Sequence, residues 1–291
     1  IVTARKVGMM TVQGVNNNNL RGTWMRIRSR DYNNGHTYIM GILNVTPDSF
    51  SDGGEYFTPK KALDRALAMI EEGADIIDIG GESTRPGYTM ISDDEEIDRV
   101  CPVIELIREH TDIPISLDTY KSKVAREGIK YGADLINDIW GLKYDPDMAC
   151  IIAESGKSCC LMHNKKEPFY DDLIEDIKSE LLESVEIALS AGIDRDKIIL
   201  DPGVGFAKDY HQNLSVLKHL KDFTQTGYPI LLGASRKSVI GNALGLDKDN
   251  RLEGTLATSI YAVMAGCLFV RVHDISANAR AIKMTEEIIN A

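Results

Sequence analysis

Eight short runs of mostly apolar, often β-branched residues constrain the fold of this chain more than any other feature. The runs begin about 33 residues apart, so one helix fits between each run and the next. This alternation predicts repeated βα units and a parallel sheet, because parallel neighbours need a long crossover connection. The runs are IMGILNV (39–45), IIDIGGE (76–82), PISLDTY (114–120), LINDIWG (135–141), SCCLMHN (158–164), IILDPGV (198–204), ILLGASR (230–236) and LFVRVHD (268–274).

Eight such units in about 250 residues predict a (β/α)8 TIM barrel, folded as a single domain over residues 39–291. A doubly wound open sheet is the alternative α/β fold. Its usual mark is a GxGxxG fingerprint after the first strand, and that pattern is absent here. The barrel is therefore the favoured architecture.

Residues 1–38 stand apart from the repeated pattern as an N-terminal extension. Within it, the stretch MRIRSRDYNNGHTYIM predicts a β-hairpin that turns at Asn34-Gly35, since Asn-Gly is a strong hairpin signal. We expect this hairpin to plug the floor of the barrel.

Bulk charge and cysteine usage limit the partners and the compartment. The chain has 291 residues, a formal charge of -11 and a pI near 5.1, so no unaided binding to nucleic acid or to an anionic membrane is expected. No apolar run is long enough to span a bilayer, and the polar start does not resemble a signal peptide. The 5 cysteines lack CxxC spacing, which favours a reducing cytoplasm.

Polar side chains follow nearly every predicted strand, and barrel active sites are built from these strand ends. Any one of these side chains could simply cap the next helix, but capping does not easily account for all eight strand ends. In chain order they are Asn44, Thr84 with Arg85, Asp118, Asn137, His163 with Asn164, Asp201, Lys237, and Arg271 with His273.

Three of these residues form a set with many acceptors and few donors. Asp118, Asn137 and Asp201 together would suit a flat heterocycle that carries N–H and amino donors, such as a pterin or guanine edge. A structural ion pair between one of the carboxylates and Lys237 is the alternative.

Arg271 and His273 lie two residues apart, so both point to the same face of their strand. Buried cations there need an anion, and phosphate or pyrophosphate is the simplest candidate. Asn44 and a divalent ion would complete such a site. The alternative is that both residues only pair with carboxylates of neighbouring strands.

Eight motifs in order give the chain a family resemblance. They are GILNVTPDSFSDGG, DIGGESTRPG, SLDTYK, INDIWG, LMHN, LDPGVGFAK, GASRKS and FVRVHD. This series resembles the dihydropteroate synthases, the pterin-binding family of folate biosynthesis that sulfonamides target. The resemblance covers residues from about 39 to the C-terminal helix.

The resemblance implies a transferase reaction between two small molecules. In it, 7,8-dihydropterin-6-ylmethyl diphosphate condenses with 4-aminobenzoate to give 7,8-dihydropteroate and pyrophosphate, and we expect a dissociative substitution. The resemblance also implies Mg²⁺ as cofactor, a homodimer and a cytoplasmic location.

The same resemblance implies a role for each matching residue. Pterin binding falls to Asp118, Asn137, Ile139, Met162, Asp201 and Lys237. The 4-aminobenzoate pocket comprises Thr84, Arg85, Pro86, Phe206, Lys237 and Ser238. Pyrophosphate falls to Asn44, Arg271 and His273, with Asn44 also at the metal. Catalytic roles are expected for Asp118, Lys237, Arg271, His273 and the loop residue Asp52.

Two other functions share these features. A pterin-dependent methyltransferase has the same barrel and the same Asp–Asn–Asp pterin site, but SFSDGG, STRPG and SRKS belong to the synthase pattern. A non-catalytic pterin-binding paralogue is the second alternative, and the intact loop motifs with both basic residues disfavour it.

Overall fold

The computed structural model describes residues 23–46, 58–82 and 90–291. The strands in these ranges are β1 (Thr23–Ile27), β2 (Arg30–Asn33), β3 (Tyr38–Asn44), β4 (Ile76–Gly80), β5 (Ile115–Asp118), β6 (Leu135–Asp138), β7 (Ser158–Met162), β8 (Ile198–Asp201), β9 (Leu231–Leu232) and β10 (Phe269–Val272). The helices are α1 (Pro59–Glu71), α2 (Asp93–His110), α3 (Ser122–Tyr131), α4 (Met148–Ser155), α5 (Leu173–Ala191), α6 (Tyr210–Lys218), α7 (Leu220–Thr224), α8 (Ser238–Leu244), α9 (Leu252–Ala265) and α10 (Ile275–Ile289).

Strands β3 to β10 form one parallel barrel, which confirms the predicted TIM barrel. Seven parallel pairings connect them in the order β8-β7-β6-β5-β4-β3-β10-β9. A parallel bridge between Leu200 and Ile230 joins the two ends of that order and closes the sheet. The open-sheet alternative is therefore wrong.

The helices cover the outside of the barrel with one apolar face each. Helix α1 shows the local reasons: Thr58 caps it by accepting from Lys61 N at 3.3 Å, and Pro59 occupies the first turn, where its missing N–H costs nothing. Its buried residues recur at helical spacing and are Ala62, Leu63, Ala66 and Met69.

The N-terminal hairpin is present, but its predicted turn was wrong. Strand β1 pairs antiparallel with β2, and the turn falls at Arg28, which has a positive φ of 55°. The Asn34-Gly35 step instead links β2 to β3. Strand β3 cannot pair with β2 because β4 and β10 already occupy both of its edges.

The hairpin closes the N-terminal end of the barrel, as expected. Met25, Ile27 and Tyr32 are buried in one cluster with residues from the beginnings of the barrel strands. Polar contacts add to this packing: Arg28 donates to Asp112 at 2.8 Å, and the Tyr32 hydroxyl donates to the Asp75 carbonyl at 3.4 Å. The opposite, C-terminal end is left for the site.

Across the described ranges, no helix combines the length and the apolar character that a membrane crossing requires.

Candidate active site

Parallel register aligns the first part of the site across four neighbouring strands. Asn44 is paired with Gly80, Gly80 with Asp118, and Asp118 with Asn137. Because Gly80 has no side chain, Asn44 Oδ1 and Asp118 Oδ2 both come within 3.7 Å of where its Cβ would lie. The strand ends thus bring three predicted residues into one row.

Arg271 lies on β10, the strand next to β3, and joins two carboxylates. Its Nε donates to Asp78 Oδ2 at 2.5 Å, and its Nη2 donates to Asp118 Oδ2 at 2.6 Å. Asp78 is fully buried and also accepts from Ser116 Oγ at 2.5 Å. Both carboxylates raise the pKa of Arg271, against the effect of burial, so the guanidinium stays charged.

Asp118 retains an acceptor that no described protein group fills. Its Oδ1 is buried and has no hydrogen-bond partner among the described residues. Burial, opposed by the charge of Arg271 and reinforced by that of Asp78, raises the pKa of this carboxyl to about 7. A buried, unfilled carboxylate oxygen is costly unless a ligand donor meets it.

Asp201 and Lys237 form the other side of the site. Asp201 Oδ1 accepts from Gly203 N at 2.7 Å, which leaves Oδ2 directed into the barrel mouth near Gly233. Burial raises the pKa of Asp201, while the charge of Lys237 opposes that rise. Burial likewise lowers the pKa of Lys237 to about 8, despite the neighbouring Asp201.

Lys237 is held by the loop that follows β8. Its Nζ donates to the Val204 carbonyl and lies 4.6 Å from the centroid of the Phe206 ring. Gly205 makes room for it, since a Cβ there would come within 2.9 Å of the lysine stem. The Lys237 ammonium, the Phe206 ring and the Val204 carbonyl therefore lie together on one side of the site.

The apolar walls predicted from the sequence also meet at this end. Ile139 and Met162 are buried together with Tyr120, and Trp140 and Phe206 pack against them. Together these side chains can enclose a flat ring, with the polar edge of the ring directed toward the carboxylates.

His273 lies beside Ser235, and burial favours the neutral form of its imidazole over the second cation expected from the sequence. Burial, then the charge of Arg271, lowers the pKa of its imidazole to about 3. Ser235 Oγ accepts from His273 N at 3.2 Å and lies 3.0 Å from Nδ1. A hydroxyl that already accepts one N–H is best placed to donate to Nδ1, which leaves the ring hydrogen on Nε2.

Four of the predicted site residues are not described by the structure, and a fifth, Ser238, is exposed. Asp52, Thr84, Arg85 and Pro86 fall outside the described residues. Ser238 is exposed at the first position of α8. Arg236, from the same GASRKS motif, pairs with Asp274 at 2.5 Å instead of entering the site.

Three supporting residues were not assigned to the site from the sequence alone. Ser116, Val204 and Ser235 bind Asp78, Lys237 and His273 respectively, and none carries a charge that would mark it. Asp78 is recognisable in the sequence as a carboxylate inside an apolar strand. Within the described residues its arginine partner is Arg271.

Comparison with known proteins gives a consistent result. The profile of the family described as "Pterin binding enzyme" matches residues 40–273. A curated "Dihydropteroate synthase" of Clostridium beijerinckii is 54% identical over 91% of this chain and 99% of its own.

Two solved structures extend the likeness to three dimensions. A dihydropteroate synthase from Clostridium difficile, crystallised in the presence of pteroic acid, has a TM-score of 0.87 and 50% identity, covering 90% of this chain and 100% of its own. The dihydropteroate synthase of Xanthomonas albilineans with 4-aminobenzoic acid has a TM-score of 0.85 and 40% identity, covering 88% of this chain and 94% of its own. The chain belongs to the dihydropteroate synthase family of pterin-binding enzymes.

Proposed function

We infer that this protein catalyses the condensation of 7,8-dihydropterin-6-ylmethyl diphosphate with 4-aminobenzoate, which yields 7,8-dihydropteroate and pyrophosphate for folate biosynthesis. The observation that carries this conclusion is the buried set of Asp118, Asn137 and Asp201 beside Arg271 and Lys237, in a chain 54% identical to a curated dihydropteroate synthase.

We propose that the pterin ring binds between the carboxylates and the apolar walls. The unfilled Oδ1 of Asp118 and the inward Oδ2 of Asp201 are acceptors for the ring N–H and amino groups. Ile139 and Met162 would contact the ring faces.

The bond that breaks joins the pterin methylene to the diphosphate oxygen, and the bond that forms joins the same carbon to the aryl amine nitrogen. We propose a dissociative substitution, because the electron-rich dihydropterin stabilises positive charge on that carbon. Asp118 and Asp201 lie where they would offset this charge. An aryl amine is neutral near pH 7, so it attacks without prior deprotonation and loses its proton afterwards.

We propose that Arg271, His273 and Asn44 bind the diphosphate. Arg271 supplies a charged donor, and the neutral His273 supplies its Nε2–H. Asp78 accepts from Nε of Arg271 and Asp118 accepts from Nη2, so the remaining N–H groups of the guanidinium could donate to the leaving group.

Mg²⁺ fits this site as an ion that arrives with the diphosphate. No three His, Cys, Asp or Glu side chains converge as a metal site among the described residues. The amide oxygen of Asn44 is one neutral ligand, and Mg²⁺ commonly takes few protein ligands and several phosphate oxygens and waters. When bound, the ion would neutralise leaving-group charge.

Asn44→Ala tests that assignment by calorimetry. We expect weaker binding of Mg²⁺-pyrophosphate and unchanged binding of 6-hydroxymethylpterin. An equal loss of both ligands would contradict the role.

We propose that 4-aminobenzoate binds beside Phe206, Lys237 and Ser238, toward the segment that contains Thr84, Arg85 and Pro86. The first three lie at the same side of the barrel mouth, with the Lys237 ammonium over the Phe206 ring. The carboxylate of 4-aminobenzoate would lie near this ammonium and near Ser238 at the beginning of α8, where it could accept hydrogen bonds.

We further propose a cytoplasmic homodimer whose chains each fold as one barrel domain over residues 39–291, preceded by the extension. Helices α9 and α10 expose apolar side chains that a second copy could cover. These are Tyr261, Met264, Met284, Ile288 and Ile289. Light scattering on the wild type and on Met264→Asp would test this, since Met264 is 66% exposed and its change should shift the mass toward that of a monomer.

Pyrophosphate release from the purified protein tests the function. The protein is given the dihydropterin diphosphate and Mg²⁺, with or without 4-aminobenzoate. We expect release that depends on the amine and forms dihydropteroate. Methyl transfer from methyltetrahydrofolate in its place would indicate the methyltransferase, and pterin binding without release would indicate a non-catalytic paralogue.

A further inference from the structure

A lysine ammonium group lies beneath the loop that follows β8. Lys208 Nζ donates to His163 Nδ1 at 2.9 Å, to the Gly203 carbonyl at 3.1 Å and to the Phe206 carbonyl at 3.1 Å. Burial lowers the pKa of Lys208 to about 7, against the opposing charge of Asp201. In the charged form, the three bonds use all three hydrogens of the ammonium. The lysine therefore joins both ends of the turn 203–206 to the end of strand β7.

His163 in this network is itself held by a second hydrogen bond, to Glu180. Since Nδ1 accepts from Lys208, the ring hydrogen is on Nε2 and donates to Glu180 Oε2 at 3.0 Å. Glu180 belongs to α5, and its other oxygen accepts from Lys165 at 2.6 Å. Burial, followed by the charge of Lys208, lowers the pKa of His163 to about 2, so the imidazole stays neutral and keeps its acceptor.

The turn held by Lys208 carries contacts to the site at three points. Gly203 N donates to Asp201, the Val204 carbonyl accepts from Lys237, and the Phe206 ring lies beneath the Lys237 ammonium. Lys208 has no hydrogen bond to Asp201 or Lys237 in the described structure, so it acts on them only through this turn and through its charge.

We propose that Lys208 is a positioning residue for the 4-aminobenzoate site, acting through its three bonds to the turn 203–206. This inference rests on the proposed function for its kinetic consequence, but not for its structural one. Without the ammonium, the carbonyls of Gly203 and Phe206 lose their donor, and the turn that places Phe206 and holds Lys237 is no longer tied to His163.

Hydrogen exchange of the wild type and of Lys208→Met tests the structural part. The amides of Gly203, Gly205 and Phe206 are bonded to Asp201, to Asn213 and within the turn, respectively. We expect their exchange to be at least about tenfold faster in the variant, because one lost hydrogen-bond network is worth of the order of a tenfold change. Lys130→Met, on the exposed face of α3, is the matched control and should leave these amides unchanged. Unchanged exchange in Lys208→Met would overturn the proposal.

Steady-state kinetics test the functional part. We expect Lys208→Met to raise KM for 4-aminobenzoate about tenfold, because Phe206 belongs to the turn itself. Asp201 belongs to β8 and Lys237 immediately precedes α8, so both keep their places without the turn, and kcat and KM for the pterin diphosphate should change less than about threefold. If all three parameters worsen together, the residue is merely structural and the proposal fails. If Lys208→Met does not fold, His163→Leu removes one of the three acceptors of Lys208, together with the donor to Glu180, and should show the same split on a smaller scale.

The two measurements separate the two inferences. The wild type could show no amine-dependent turnover while Lys208→Met still shows faster hydrogen exchange. That pair of results would contradict the proposed function and support the structural role of Lys208. If the wild type turns over normally and Lys208→Met has an unchanged KM for 4-aminobenzoate, only the proposed role of Lys208 is contradicted.

Discussion

Arg271 Nη2 lies 2.6 Å from Asp118 Oδ2, so the proposed diphosphate-binding residue and the proposed pterin-binding residue are bonded to each other. A substrate that carries both groups could bind on both sides of this bond without breaking it. The pterin would offer donors to the unfilled Oδ1 of Asp118, and the diphosphate would offer acceptors to the remaining N–H groups of Arg271. The bond from Arg271 to Asp78 at 2.5 Å fixes the position of the arginine side chain.

Pterin affinity should rise with pH up to the pKa of Asp118. This pKa is raised to about 7, so at lower pH the carboxyl carries a proton and cannot accept from two ring donors. Affinity for 6-hydroxymethylpterin should therefore fall about tenfold per pH unit below about 7 and level off above it. Calorimetry between about pH 5.5 and 7.5 measures this change.

Asp118→Asn is the control for that titration. The amide keeps the shape but has no proton to lose, so binding should be weak and should depend on pH only through Asp201, whose pKa burial also raises. A pH dependence identical to that of the wild type would show that Asp118 is not the titrating group.

Activity should decline at alkaline pH as Lys237 loses its proton. Burial lowers the pKa of this lysine to about 8, so the ammonium is charged below that pH and neutral above it. We expect kcat/KM to fall above about pH 8 and Lys237→Met to lower it about 10- to 100-fold at pH 7. In Lys237→Arg the alkaline decline should disappear, because guanidinium does not titrate there. A decline that persists in the arginine variant would assign it to another group.

His273 should act without titrating in the working range. Its pKa is lowered to about 3, so the ring is neutral from about pH 5 to 8. His273→Gln keeps a side-chain donor and should lower kcat/KM about tenfold or less without altering the shape of the pH profile. Loss of an acidic limb near pH 6 in this variant would show that the histidine works as a cation.

Two glycines with positive φ should respond very differently to alanine. Gly203 has φ +70°, and a Cβ there would lie 2.0 Å from the His163 carbonyl oxygen. Gly192 has φ +97° with nothing within 4 Å of its Cβ position. We expect Gly192→Ala to cost about 1–2 kcal/mol from backbone strain alone, and Gly203→Ala to cost at least about 2 kcal/mol more from the clash. Urea unfolding of both variants measures the difference, and equal costs would contradict the close approach.

Local sequence patterns predicted the barrel because each unit depends on short-range rules. Short apolar runs form the barrel strands, which are two to seven residues long, and segments such as Pro59–Glu71 bury one face at helical spacing. The predicted hairpin turn failed for a long-range reason. Asn34-Gly35 has good turn chemistry, but β3 is taken by β4 and β10, and Arg28 turns the chain instead.

The sequence by itself determined the barrel, the strand ends that meet at its mouth and the residue types displayed there, because parallel strands place their C-terminal residues at the same edge of the sheet. Tertiary structure alone decided which charges are paired and which groups are protonated. Arg271 joins Asp78 to Asp118, His273 is neutral, and Lys208 binds three acceptors from two segments. The physical reason is that pairing and desolvation depend on distances across the barrel, between residues as much as 193 positions apart in the chain.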